Sequence, residues 1–358
     1  MNTLLAPNHI KCRQRPNMKK TLPIGMIGAW IVGVWAASAC SRLSSLRSCA
    51  AEKSSISLVV IKLIMFPGLR KTALGLFLFA AALGPSLASV EAKDAKGCKF
   101  IGSTLQFVGS AIEQAGCLLT PVKPFAHLGK PLSRLPAPLS RLVGKPLNFT
   151  VSDFRGYLKY IDVKETDLGG SLGKQVSRAR GGKKSAPMAK YFVLHDTSAP
   201  NFKSKAFPSN INNTAKFNNL LRLKTKPGAH VYVNRRGESR TINDFRKANR
   251  ATGREMRLGR KAKGLFLHVE FVQPRRSHRR GKKGNDAMAP TPGFTDAQLE
   301  RLALVYITAS VRRGTWLIPA YHAVLSNGLK NGHDDPQNFD LESWSSWITT
   351  HLNGMKSN

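Results

Sequence analysis

His195 closes an apolar run, Tyr191-Phe192-Val193-Leu194, and Glu270 sits inside a second, Leu265 to Val272. His322 and the polar segment Gly332 to Asp340, with His333, Asp334 and Asp335, come after a long amphipathic stretch. Two histidines and a carboxylate form a ligand set that zinc uses for hydrolysis, because three protein ligands leave a fourth position for water. A separate glutamate can then take that water's proton. His195 and His322 are therefore candidate ligands to Zn2+, and Glu270 is a candidate general base. On an alternating strand His268 shares the face of Glu270, where it would orient the glutamate or line a cleft.

Such residues need rigid elements to hold them. Tyr191 to Leu194 is short and wholly apolar, as suits a strand covered on both faces. Val231-Tyr232-Val233 and Ser239 to Ile242 flank Asn234-Arg235-Arg236-Gly237-Glu238, the pattern of a hairpin. Leu265 to Val272 gives a third strand. Asn210 to Leu223 puts Phe217, Leu220 and Leu221 on one helical face. Thr295-Asp296-Ala297-Gln298 spells a capping box, and Leu299, Leu302, Ala303 and Tyr306 then recur at helical spacing. Trp344, Trp347, Ile348 and His351 mark one face of a final helix. The expected fold class is α/β, a mixed central β-sheet flanked by helices, preceded by an irregular Pro/basic-rich segment over 89–185. The domain with the chemistry spans 186–352.

These blocks, in this order, resemble the zinc amidases that include peptidoglycan amidases and peptidoglycan recognition proteins. The resemblance is carried by Val193-Leu194-His195-Asp196-Thr197-Ser198, by Ala229 to Gly237, by Leu267-His268-Val269-Glu270-Phe271, and by Tyr321-His322 with Asp335-Pro336 and Phe339-Asp340. It covers roughly Ala186 to Leu352 and agrees with the α/β pattern. It implies that the third zinc ligand is Asp335, the acid standing before Pro, with Asp334 as the alternative. It also implies an N-acetylmuramoyl-L-alanine amidase acting on peptidoglycan or muropeptides. The alternative is a muropeptide-binding module of the same fold that does not cut. His333 occupies the place of a lysine that stabilises the oxyanion in relatives, so His333 is either that donor or a ligand itself. His230 resembles a histidine near the cleft. Ala251-Thr252-Gly253-Arg254-Glu255 departs from the His-Ala-Gly block of some relatives.

The beginning of the chain reads as a targeting region. Met65 to Lys71 is a short basic lead, Thr72 to Leu83 is apolar, and Gly84-Pro85 precedes the small residues Ser86-Leu87-Ala88. This is the pattern of a secretory signal over 65–88, cut after Ala88 or after Ala92. Upstream, Leu22 to Ala39 is apolar and about long enough to span a bilayer. Residues 1–64 are thus either an upstream translation artefact or a membrane anchor, and a membrane partner is expected only if that segment is retained. Cysteines 12, 40 and 49 lie before the cut. Cys98 and Cys117 lie after it, an even number suited to an oxidising compartment. The expected location is secreted, periplasmic or at the cell envelope.

Between signal and domain, Pro121 to Leu147 repeats Pro-Leu-Ser-Arg-Leu and Gly-Lys-Pro-Leu. Pro at this density rules out a continuous helix, and the segment reads as an extended or turn-rich arm. Phe149 to Leu172 has room for one or two short helices. The net charge of +36, from 56 Lys+Arg against 20 Asp+Glu, suits an anionic partner, with envelope polymers the expectation. Zinc-finger spacing, RNA-binding aromatic motifs and basic heptads are all missing, so no specific nucleic-acid partner is expected. The basic run Arg275 to Lys283 is either a solvated loop or a clamp on an anionic substrate.

Overall fold

The computed structural model describes residues 98–222, 228–277, 287–329 and 332–356. The signal-like segment, the upstream apolar stretch and most of the run Arg275 to Lys283 lie outside them.

Five strands form the central sheet: β1 Tyr191–Asp196, β2 Val231–Val233, β3 Ser239–Thr241, β4 Phe266–Phe271 and β5 Ile318–Tyr321. Their order is β3-β2-β4-β1-β5. β4 runs parallel to both β1 and β2, β5 runs parallel to β1, and β3 pairs antiparallel with β2, so the sheet is mixed. All six residues of β1 and of β4 are buried, as expected of central parallel strands covered on both sides. The β2–β3 hairpin turns where the side chain of Asn234 accepts the N–H groups of Arg236 and Glu238 and Gly237 takes a left-handed φ of 76°.

Helix Asp296–Arg313 covers one face. It starts at the capping box of Thr295 and Gln298 and stops at left-handed Gly314. Its Tyr306 ring meets Phe192 of β1 and Trp344 of the last helix, Leu341–Lys356. Phe192 and Leu194 therefore point to that side, and Tyr191, Val193 and His195 point to the other.

The second face is covered by residues expected to be an irregular leader. Helix Ala111–Leu118, capped by Ser110 and Glu113, brings Gln114 to the Tyr191 hydroxyl at 2.9 Å. The backbone N–H of Phe107 donates to the same oxygen. Leu135, Leu139 and Val143 of the Pro-rich stretch are buried in the core. That stretch is therefore not a solvated linker: its prolines start turns and the short helix Ala137–Leu142, and its leucines pack. Helix Val151–Tyr160 follows. One hydrophobic core runs from Cys98 to Ile348 across position 186, and Cys98 and Cys117 are joined in a disulfide.

The helical face expected over 210–223 is reduced to Ala215–Asn218, and Leu221 is exposed. The Asn218 amide donates to the carbonyls of Ile211, Asn212 and Thr214. It satisfies the loop's backbone groups in place of a helical ladder. Among the described residues no helix is long and apolar enough to cross a membrane.

Candidate metal centre

Strand register builds the site. His195 of β1 stands opposite Glu270 of β4, and Glu270 stands opposite Tyr232 of β2. His322 directly follows Tyr321, the partner of Leu194, which puts it beside His195. One row across the carboxyl ends of the strands thus reads His322, His195, Glu270, Tyr232. Glu270 lies on an interior strand and is 2% exposed, so it is not a solvated edge glutamate.

Asp335 joins the row from the loop before the last helix. His195 Nδ1 is 2.9 Å from His322 Nδ1, and His322 Nδ1 is 3.0 Å from Asp335 Oδ2. That oxygen lies 3.9 Å from His195 Nδ1. His195, His322 and Asp335 are the one group of this kind among the described residues with a donor set able to hold a metal ion. A tetrahedral ion with bonds of about 2.0 Å sets its ligand atoms roughly 3.3 Å apart, and the three separations scatter around that value. A proton on His322 Nδ1 can point at only one of its two close neighbours, whereas a cation would satisfy all three donors together. His322 Nε2, buried, has no hydrogen-bond partner. Burial pushes the His322 imidazole down, against the pull of Asp335, which keeps it neutral as a ligand must be. Burial would raise Asp335, but the facing His322, His333 and His195 rings outweigh it and hold the carboxyl well below the usual range.

The structure places Asp335, not Asp334, in the cluster. Asp334 turns to Gln337, whose amide donates to it at 2.5 Å, and burial raises it to about 6. His333 is the most exposed member of the neighbourhood. Its ring stacks on His322 at 4.0 Å, and its Nδ1 lies 3.5 Å from Asp335 Oδ1.

The ring of His268 lies between His195 and Glu255. Its Nδ1 lies 3.0 Å from His195 Nε2, and its Nε2 lies 3.2 Å from Glu255 Oε2. Its backbone N–H donates to His230 Nδ1. His230 passes its other ring nitrogen to the Lys247 carbonyl, and burial lowers its pKa to about 3, so that ring is a neutral structural link. Glu255 comes from the stretch that lacks the His-Ala-Gly block. Thr252 and Glu255 form a capping box for helix Gly253–Leu258, and a box of this kind in sequence signals only a helix start.

Arg275, expected in a solvated loop or clamp, is buried. Its guanidinium donates to both oxygens of Asp196 at 2.8 and 2.6 Å. This pair pins the end of β1, where the Asp196 N–H donates to Asp335 Oδ2 at 3.1 Å. Arg275 thus supports Asp335 indirectly.

No family model and no curated protein matches the chain. Two solved structures are similar to it at 12% identity and a TM-score of 0.25: the endolysin N-acetylmuramoyl-L-alanine amidase LysCS and the N-acetylmuramoyl-L-alanine amidase LysC, both from Clostridium intestinale URNW. The match covers 45% of this chain and 84% and 85% of theirs. The functional reading therefore rests on the residues themselves.

Proposed function

We propose that the protein is an exported zinc-dependent N-acetylmuramoyl-L-alanine amidase, cutting the amide between the lactyl group of muramic acid and L-alanine in peptidoglycan. The observation that carries this is the convergence of His195, His322 and Asp335 with a buried glutamate in register beside them. His195, His322 and Asp335 would hold zinc, which would supply a Lewis acid for the carbonyl and lower the pKa of a bound water to about 7. Glu270 would take a proton from the attacking water as the new C–O bond forms and return it to the nitrogen as the C–N bond breaks, so that the peptide leaves as a neutral amine. His333, at the exposed rim, is placed to donate to the developing oxyanion.

The Cys98–Cys117 disulfide fits an oxidising compartment. The positive charge has a local seat for anionic envelope polymers. An open cleft of about 760 Å³ is lined by Arg180, Lys183, Arg260 and Lys261, on the segments leading into β1 and β4. The second reading, a module that binds muropeptide without cutting, is favoured by nothing that removes a ligand or the acid.

The test is digestion of purified sacculi, with mass spectrometry of the soluble products. Release of peptides with a free L-alanine amino terminus, lost on chelation and restored by zinc, is the expected result. Muropeptide binding without release would establish the binding module instead.

A further inference from the structure

We infer that His268 and Glu255 are positioning residues that set the tautomer of His195 and aim its Nδ1 into the cluster. The inference rests on the zinc reading above and adds to it a second layer that the sequence did not announce.

Protons can be counted along a buried line from Glu255 to His195. Glu255 Oε2 already receives three donors: the N–H groups of Ala251 and Thr252, each at 3.0 Å, and the Thr252 hydroxyl at 2.9 Å. This oxygen therefore acts as an acceptor. His268 Nε2 lies 3.2 Å from it, oblique to the straight hydrogen-bond line but within ion-pair reach. Both side chains are fully buried, and Nε2 makes no hydrogen bond elsewhere. A bare Nε2 would set its lone pair against a carboxylate oxygen at that distance, so the proton of His268 belongs on Nε2. A neutral imidazole with its proton on Nε2 has a bare Nδ1. That bare nitrogen lies 3.0 Å from His195 Nε2, so it accepts a proton there. His195 is left with an unprotonated Nδ1, and this is the atom that faces His322 and Asp335. The series ends on a lone pair pointed where a cation would take it.

The frame around the line is rigid. His268 is fixed on both sides of its backbone by His230, whose N–H donates to the His268 carbonyl and whose Nδ1 accepts the His268 N–H. Glu255 is fixed by its own capping box. A ligating histidine whose second nitrogen is held in this way keeps its orientation and gains basicity. A merely space-filling pair would do neither.

Two measurements test this. Long-range proton–nitrogen spectra of the wild-type protein read the tautomers directly. His195 and His268 are both expected to carry the proton on Nε2, and a proton on Nδ1 of metal-free His195 would overturn the inference. Zinc titration of the metal-depleted protein, followed by competition with a chromophoric chelator, then compares variants. His268→Leu fills the space but offers no acceptor, and it should weaken zinc binding by about 10- to 100-fold. His268→Asn keeps an acceptor near the Nδ1 position and should stay within about 3-fold of wild type. Wild-type affinity in H268L, or equal losses in folded H268L and H268N, would sink the positioning role while leaving the zinc centre intact. A wild-type protein that binds no zinc would instead remove the zinc reading and this inference with it.

Discussion

His195 and Glu270 stand opposite one another on neighbouring parallel strands, in register and on the same face of the sheet. Backbone pairing, not a mobile loop, fixes the spacing between a candidate ligand and the candidate base. Glu270→Gln preserves shape and removes the ability to take a proton. The expected outcome is a fall in kcat of about 10²- to 10⁴-fold, with zinc content and muropeptide affinity retained. Kinetics on a defined muropeptide, beside calorimetric binding, separates these effects.

The ligand assignment discriminates between adjacent acids. Asp335→Asn should strip zinc from the purified protein and abolish hydrolysis. Asp334→Asn, whose partner Gln337 lies outside the cluster, should leave metal content near one ion per chain. Metal analysis by atomic emission decides this, and the opposite ranking would reassign the third ligand.

His333 reaches Asp335 only at 3.5 Å and faces outward. His333→Ala should therefore keep zinc yet lower kcat by roughly 10²-fold, the scale of one lost oxyanion donor, and His333→Lys should recover most of the rate. Loss of zinc in H333A would make His333 a ligand instead.

His351 predicts how stability depends on pH. Its Nδ1 pairs with the Tyr157 hydroxyl at 2.9 Å, and burial lowers its pKa to about 4 from 6.5. Between those values the unfolded chain binds the proton and the folded chain does not. Stability is therefore greatest above about pH 6.5 and declines as the pH falls toward about 4, by on the order of 3 kcal/mol from this group. Urea unfolding at both ends of that window should show a smaller difference for His351→Asn than for wild type.

The disulfide between Cys98 and Cys117 closes a loop with a sequence separation of 19. Replacing both cysteines by serine should cost about 3 kcal/mol, visible as a lower thermal midpoint. An unchanged midpoint would mean that packing of helix Ala111–Leu118 alone holds this segment.

Much of the sheet was legible in the residues. The apolar runs ending at His195 and Val272, the Asn234 turn and the Thr295 capping box all lie where periodicity and turn chemistry placed them, because each is a local signal. His195, His322 and Asp335 converge as the resemblance implied. The contacts that had no local sign were the long-range ones. Glu255 read as a helix cap, and only the packing of its helix over β4 brings it to His268. Arg275 read as one member of a basic run, but its burial against Asp196 depends on where the loop after β4 returns. The Pro-rich stretch masked its buried leucines, since its composition is that of a linker and its role depends on a face supplied elsewhere.

The core that supports the histidine cluster includes residues well before position 186. Tyr191, on the strand that ends in His195, satisfies its hydroxyl through Gln114 and the backbone of Phe107, and Arg254, next to Glu255, lies over the Phe107 ring. A chain trimmed to residues 186–352 would lose the roof over the histidine-bearing side of the sheet, leaving aromatic rings wet and a phenol oxygen without its mates. Transplanting the histidine cluster into another protein would mean taking those earlier residues along.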